Sequence, residues 1–318
     1  MNEPHTPAEP AVTVVVVSDY ASSTRERSWV DERRCLTSLA ALVTETPFEV
    51  VISESSEWES GFPSELLAIV PNTRIVFSPG GSSYELKNAG ARAASAPITV
   101  VIDADCRMSV NWLSVLVETM REHPDVSVVS GRTVYEGDSA PVRILALVTR
   151  SYIDPGHEGE TRFIANNAAG FRTSVLREHP LPEDLGPFSA RVQSESMLRS
   201  GCKLWFTPRL EVVHEFEGWR MEADIRRNIG YGTVATRLAH PEIPYASLVR
   251  SGVLSIPLIW FGKLFNSWRD CLRCAPAYGV RWFEVPLAMA TSVAVGFLEI
   301  PGMIAGYRKQ PIRKTAYR

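Results

Sequence analysis

Ile98-Thr99-Val100-Val101-Ile102-Asp103-Ala104-Asp105-Cys106 is the stretch on which the reading of this chain turns. Five residues of β-forming character run into two acids separated by one small residue. That is the pattern of a buried strand with charge at its carboxyl end. In an open α/β sheet, ligands bind at that end. Two carboxylates there are costly without positive charge between them. A hard divalent cation suits them, because carboxylate oxygens and waters are its preferred ligands, and such an ion would in turn hold phosphates. A strand that simply ends in a solvated turn reads the same over so short a stretch, so the flanking sequence has to decide.

Upstream, Ala11 to Val17 is a nearly continuous β-branched run, as expected of a parallel strand buried on both faces. Ser18-Asp19-Tyr20 follows it. The pattern predicts a helix over about Asp31 to Val43, a strand from Phe48 to Ile52 ending in Ser53-Glu54-Ser55-Ser56, a short helix from Ser64 to Val70, and a strand from Arg74 to Phe77. A Pro79-Gly80-Gly81 loop leads into a helix from Tyr84 to Ala94 that carries Lys87-Asn88-Ala89-Gly90-Ala91-Arg92. Downstream come an amphipathic helix, Val110 to Glu122, and a strand, Val126 to Gly131. Strand and helix alternate throughout, which argues for a doubly wound α/β domain. No G-x-G-x-x-G turn follows the first strand, so the dinucleotide-binding signature is missing.

Bulk properties narrow the function. The 318 residues carry a net charge of −3, from 33 basic and 36 acidic side chains, which argues against a nucleic-acid partner. The five cysteines form no disulfide framework, and Cys271-x-x-Cys274 lacks the second pair a zinc site needs. Met1 to Pro10 is polar with no apolar core of a signal peptide, so a flexible tail and a cytoplasmic location are expected.

Beyond Arg132 the pattern changes. Ile144 to Val148 reads as helical, and Asp154 to Glu160 as a polar loop over the site. Phe163 to Arg172 contains Asn166-Asn167. Pro180 to Gly186 is a turn carrying Glu183-Asp184. A helix over Phe188 to Arg199, strands Leu204 to Phe206 and Leu210 to His214, and a basic helix Met221 to Leu238 follow. The last segment is apolar: Leu248 to Phe265 with Pro257 inside it, then Val285 to Leu298, with Glu299, Pro301 and Gly302 ending the run. Basic residues trail it, including Lys309, Arg313 and Lys314. A buried helix pair, a hairpin on a membrane surface and a true span are all compatible with this composition. The proline breaks and the basic cluster favour the membrane surface. Four regions are expected: a tail (1–10), a first α/β half (11–131), a second half (132–240) and a hydrophobic, basic helical extension (241–318).

Taken together, the first 215 residues resemble a family 2 type glycosyltransferase. The resemblance implies the GT-A fold, a Rossmann-like mixed sheet flanked by helices, here with a hydrophobic helical extension at the carboxyl end. Ser18-Asp19-Tyr20 stands where the family has its first nucleotide-contacting loop. Glu54 takes the place of the base-binding aspartate. Lys87-Asn88-Ala89-Gly90 resembles the segment beside the diphosphate sugar, and Asp103-Ala104-Asp105 the metal-binding D-x-D. Asn166-Asn167 to Arg172 resembles the acceptor-side segment. His214 matches the histidine that completes the metal shell in many relatives. One departure stands out. Relatives commonly carry Glu-Asp at the start of the helix that supplies the catalytic base, whereas here the only acid inside Phe188 to Arg199 is Glu195. Glu183 and Asp184 form the right dipeptide, but in the turn before that helix.

The implied chemistry is transfer of a sugar from a UDP- or GDP-linked donor to an acceptor hydroxyl by an inverting route. Asp105 and His214 would hold Mn2+ or Mg2+, with Asp103 touching the ion through water or binding the ribose. Lys87 or Arg92 would screen the phosphates, and Asn166 or Asn167 would orient sugar hydroxyls. Glu195 would act as base, ahead of Glu183 and Asp184. The acceptor is a glycan, a lipid-linked sugar or a small molecule, with a membrane surface as a further partner. Two other classes fit less well: an inactive scaffold or glycan-binding module on the same fold, and a nucleotidyltransferase, which lacks its glycine-rich loop here.

Overall fold

The computed structural model describes residues 9–18, 29–216 and 218–310. In chain order the elements are β1 (Val12–Val17), α1 (Val30–Ala40), β2 (Phe48–Ser55), β3 (Thr73–Ser78), α2 (Ser83–Ala93), β4 (Ile98–Asp103), β5 (Cys106–Met108), α3 (Trp112–Glu122), β6 (Val126–Ser130) and β7 (Thr133–Tyr135). Then follow α4 (Ala140–Arg150), β8 (Gly159–Thr161), β9 (Ala168–Arg172), α5 (Thr173–Glu178), α6 (Ser189–Arg199), β10 (Lys203–Phe206), β11 (Val212–His214), α7 (Trp219–Ala239), α8 (Ile256–Cys274) and α9 (Val285–Tyr307).

Eight strands form one sheet in the order β3-β2-β1-β4-β9-β6-β10-β8. The first four run parallel. All six residues of β1 are buried, as a strand covered on both faces requires. The register aligns Val17 with Ser53 on one side and with Asp103 on the other. The ends of β1, β2 and β4 are therefore level, and Ser18, Glu54 and Asp103 share one edge of the sheet.

β9 is antiparallel to both β4 and β6. It joins the chain beyond residue 131 to the same sheet as the first half. Its small residues make the insertion possible: a Cβ on Gly170 would run into the Leu116 side chain of α3. Because β9 runs opposite to β4, its amino end lies beside the carboxyl end of β4, and the Asp103 N–H donates to the Asn167 carbonyl at 3.0 Å. The expectation of a polar loop over 154–160 is corrected. Asp154 is buried against Arg132 at 2.9 Å, and Gly159 to Thr161 pair with β10 at the sheet edge.

A second sheet, β5-β11-β7, stands beside the first. It sets the key geometry, because β5 begins one residue after Asp105 and pairs Cys106 with His214.

The carboxyl-terminal prolines start helices instead of breaking them. Pro257 and Pro286 lie in the first turns of α8 and α9, where a missing N–H leaves no intrahelical bond unmade. Glu299, Pro301 and Gly302 do not end α9 either, and the helix continues to Tyr307. Gly230 of α7 lies against the Glu299 backbone, and Gly302 of α9 against the Arg227 backbone, so α7 and α9 pack too closely for a side chain at either position. Leu248–Tyr278 and Trp282–Tyr307 are each long and apolar enough to cross a membrane.

Candidate active site

The turn from β4 into β5 brings the two aspartates to different partners. Asp103 Oδ1 lies 2.7 Å from Lys87 Nζ, and the two side chains are only 5% and 4% exposed. Lys87 sits one turn into α2, whose start is fixed by a capping box between Ser82 and Glu85. Removing one partner of so buried a pair costs about 3–5 kcal/mol.

Asp105 faces His214, with Oδ2 3.1 Å from Nε2. His214 Nδ1 lies 2.6 Å from the Glu215 carbonyl, to which it donates its proton. Burial first, and the positive charge of Arg150 second, hold the imidazole well below its ordinary pKa, so the ring is neutral. With the proton on Nδ1, the Nε2 lone pair points at a carboxylate oxygen. Two acceptors that close need a cation beside them. Arg150 supplies one side of that charge, with Nη2 3.1 Å from Nε2 and its guanidinium stacked over Tyr135.

The donor set of Asp105 and His214 fits a divalent ion. Cys106 Sγ lies in the same group. Burial, then the charges of Asp105 and Asp103, push its thiol well above the ordinary range. A small cleft opens beside His214, lined by Tyr135, Arg150, Phe216 and Glu222 among others.

Around this centre the other expected residues divide. Ser18 donates to the Glu32 carboxylate, and Glu54, 1% exposed, accepts from the Ser55 N–H at 2.7 Å. Tyr20 lies outside the described residues. Asn167 Nδ2 donates to Thr133 Oγ1 at 2.8 Å, next to Cys106. Asn166 is buried, and its Nδ2 donates to Gln193 of α6 at 2.9 Å. Among the described residues its Oδ1 has no hydrogen-bond partner, an acceptor of the kind a bound hydroxyl satisfies.

Asn88 turns away from Asp103 and fastens the turn before α6. Its Oδ1 accepts from Leu181 N at 3.0 Å, and its Nδ2 donates to Leu181 O and Glu183 Oε1. Arg92 is not brought to the site: it is exposed in the last turn of α2, toward the edge where β4 begins. Glu195 is buried but held by Arg191 at 2.7 Å. Two residues on from Gln193, it projects about 200° around α6 from the Asn166 face. Asp184 is exposed in its turn.

Sequence reasoning missed Arg150, Gln193 and Thr133. Arg150 is the last residue of a helix with a strong apolar face, and nothing local marks it as a partner of His214. Cys106 was within reach, since it directly follows Asp105.

Residues 29–179 match the glycosyl transferase family 2 model, so the chain carries a family 2 type glycosyltransferase domain, that of an enzyme that transfers sugar. No curated protein matches the chain by sequence. Among solved structures, the mannosyltransferase PcManGT from Pyrobaculum calidifontis, in complex with GDP-Man and Mn2+, aligns at 16% identity and TM-score 0.58. The alignment covers 96% of this chain and 89% of that one, which shows the shared GT-A fold. S. aureus TarS 1-349, in complex with UDP, aligns at 14% identity and TM-score 0.49, over 95% and 93% of the two chains.

Proposed function

We propose that this glycosyltransferase moves a sugar from a UDP- or GDP-linked donor to an acceptor hydroxyl, assisted by Mn2+ or Mg2+. The observation that carries the reading is the pairing of a neutral His214 Nε2 with the Asp105 carboxylate at 3.1 Å, at the ligand-binding edge of the sheet. A divalent ion there supplies Lewis acidity toward the leaving diphosphate. Lys87 adds positive charge next to Asp103, which binds ribose or a metal-bound water. Glu54, at the end of β2, accepts from uracil N3–H or guanine N1–H. Asn166 Oδ1 accepts from a sugar hydroxyl. The GDP-Man and Mn2+ bound by the mannosyltransferase neighbour are of the same chemical classes.

In an inverting route the acceptor hydroxyl loses its proton as it attacks. Glu195 is the proposed base, and it acts once Arg191 releases its carboxylate. Glu183 is engaged by Asn88, and Asp184 is the remaining competitor. The acceptor is a glycan, a lipid-linked sugar or a small molecule. The chain works peripherally on a membrane surface through its helical extension, with residues 11–131 as the donor half and 132–240 as the acceptor half.

Incubating the protein with a panel of UDP- and GDP-sugars, with Mn2+ and then with EDTA, tests this. The expected result is metal-dependent release of UDP or GDP, with product of inverted anomeric configuration. No release from any donor, together with no metal-dependent nucleotide binding, would leave a glycan-binding scaffold as the function.

A further inference from the structure

We infer that the α8–α9 hairpin docks flat on an anionic lipid bilayer, with its outward face among the headgroups and upper acyl chains, and does not cross it. This rests on the membrane partner proposed above and specifies its surface and mode.

The outward face is apolar along both helices. On and just before α8, Leu254, Leu258, Phe261, Phe265 and Leu272 recur at helical spacing, and each is more than half exposed. On α9 the exposed row is Leu287, Ala290, Ala294, Phe297, Leu298 and Pro301. Trp260 stacks on Phe297 at 4.9 Å and joins the two rows into one surface. Trp282, at the turn between the helices, is 84% exposed beside Phe283. Aromatic residues at such a rim suit the bilayer interface.

The inward face holds the charge. Glu299 of α9 meets Lys263 of α8 and, at 3.8 Å, Arg226 of α7, which binds Glu222 at 2.5 Å. A membrane crossing would carry Glu299 into hydrocarbon or pull α9 away from the glycine contacts with α7. A flat pose keeps this cluster inside the protein.

Charge complementarity selects lipid as the occupant. From Leu248 to Gln310 the acids are Asp270, Glu284 and Glu299. Asp270 and Glu299 are buried, and Glu284 is paired with Arg143. Arg269, Arg281, Arg308 and Lys309 are exposed. An apolar face with a basic rim attracts anionic headgroups. A second copy would bring the same basic rim against it.

Cosedimentation of the full chain with phosphatidylcholine vesicles, with and without phosphatidylglycerol, is the test. The parent should sediment with the anionic vesicles and be released by salt. The pair Leu258→Glu and Phe265→Glu should weaken sedimentation by about tenfold or more, with thermal midpoint and nucleotide binding unchanged. An Ala277→Cys substitution at the hairpin turn should react with an impermeant maleimide added outside intact vesicles, over the background of the parent. A parent that stays in the supernatant overturns the membrane reading itself. If that parent is also a dimer that the two glutamates dissolve, the face is a self-association surface. A parent that sediments while the double variant sediments equally keeps the membrane but rejects this face. Protection of the Ala277→Cys thiol until the vesicles are lysed would mean that the hairpin spans.

Discussion

Two of the places where the molecule buries charge are built differently. Behind α9, Glu222, Arg226, Glu299 and Lys263 alternate in sign, so each acid has a base beside it. At the carboxyl edge of the sheet, Asp103 meets Lys87, and Asp105 meets His214, whose Nε2 also lies against Arg150. The first group closes on itself and holds three helices together. The second gathers carboxylate and imidazole donors at one point of the sheet edge. The contrast teaches that burial of ionisable groups alone does not mark a site: what marks it is a cluster of metal-type donors at the sheet edge where ligands bind.

If that distinction is right, substitutions in the two groups should fail in different ways. Asp105→Ala should have the largest effect, a loss of at least about 10³-fold in turnover, because leaving-group charge then goes unmet. Thermal unfolding of the same variant should change little by comparison. Glu299→Ala should do the reverse. It removes the acid shared by buried Arg226, which keeps Glu222, and by half-exposed Lys263, and should lower stability by about 1–3 kcal/mol in denaturant titration. The folded fraction should bind nucleotide as the parent does. A Glu299→Ala protein of parental stability would break the comparison.

Glu195→Gln sharpens it on the catalytic side. It keeps size and removes the basic oxygen, so turnover should fall by about 10²-fold with donor affinity retained. Parental turnover here, with collapse in Asp184→Asn, would move the base to the turn before α6. If both variants stay active, a retaining route without a side-chain base becomes the better account. The smallest expected effect is His214→Ala, about a tenfold loss, because water takes an imidazole's place on an oxygen-rich ion.

Much of this was legible in the sequence, for identifiable reasons. Period-2 and period-3.6 patterns placed β1 to β4, α1 to α3 and α6, because long β-branched runs and apolar stripes survive without tertiary help. The D-x-D and His214 stood out because charge at strand ends is unusual, and Lys87 because its segment resembles the family's. β9 was not legible as the strand between β4 and β6: Ala168-Ala169-Gly170 shows no strand pattern, and its place depends on close approach to Leu116. Arg150 reaches His214 from α4, a contact 64 residues apart that no local signal encodes. Arg92 was misplaced because spacing along a helix does not say which end of the sheet it reaches. Pro257 and Pro286 read as breaks because proline at a first turn and proline inside a run look alike until the helix start is known.

The central claim is that Asp105 and His214 hold a divalent ion against a nucleoside diphosphate. Calorimetric titration of Mn2+ into the protein, alone and with UDP or GDP, tests it most directly, in the parent and in Asp105→Asn. In the parent, one of the nucleotides should tighten Mn2+ binding, and Mn2+ should tighten that nucleotide by the same factor. Asp105→Asn should abolish this coupling while remaining folded. Equal nucleotide affinity in Mn2+ and in EDTA, or coupling that survives in Asp105→Asn, would contradict the account.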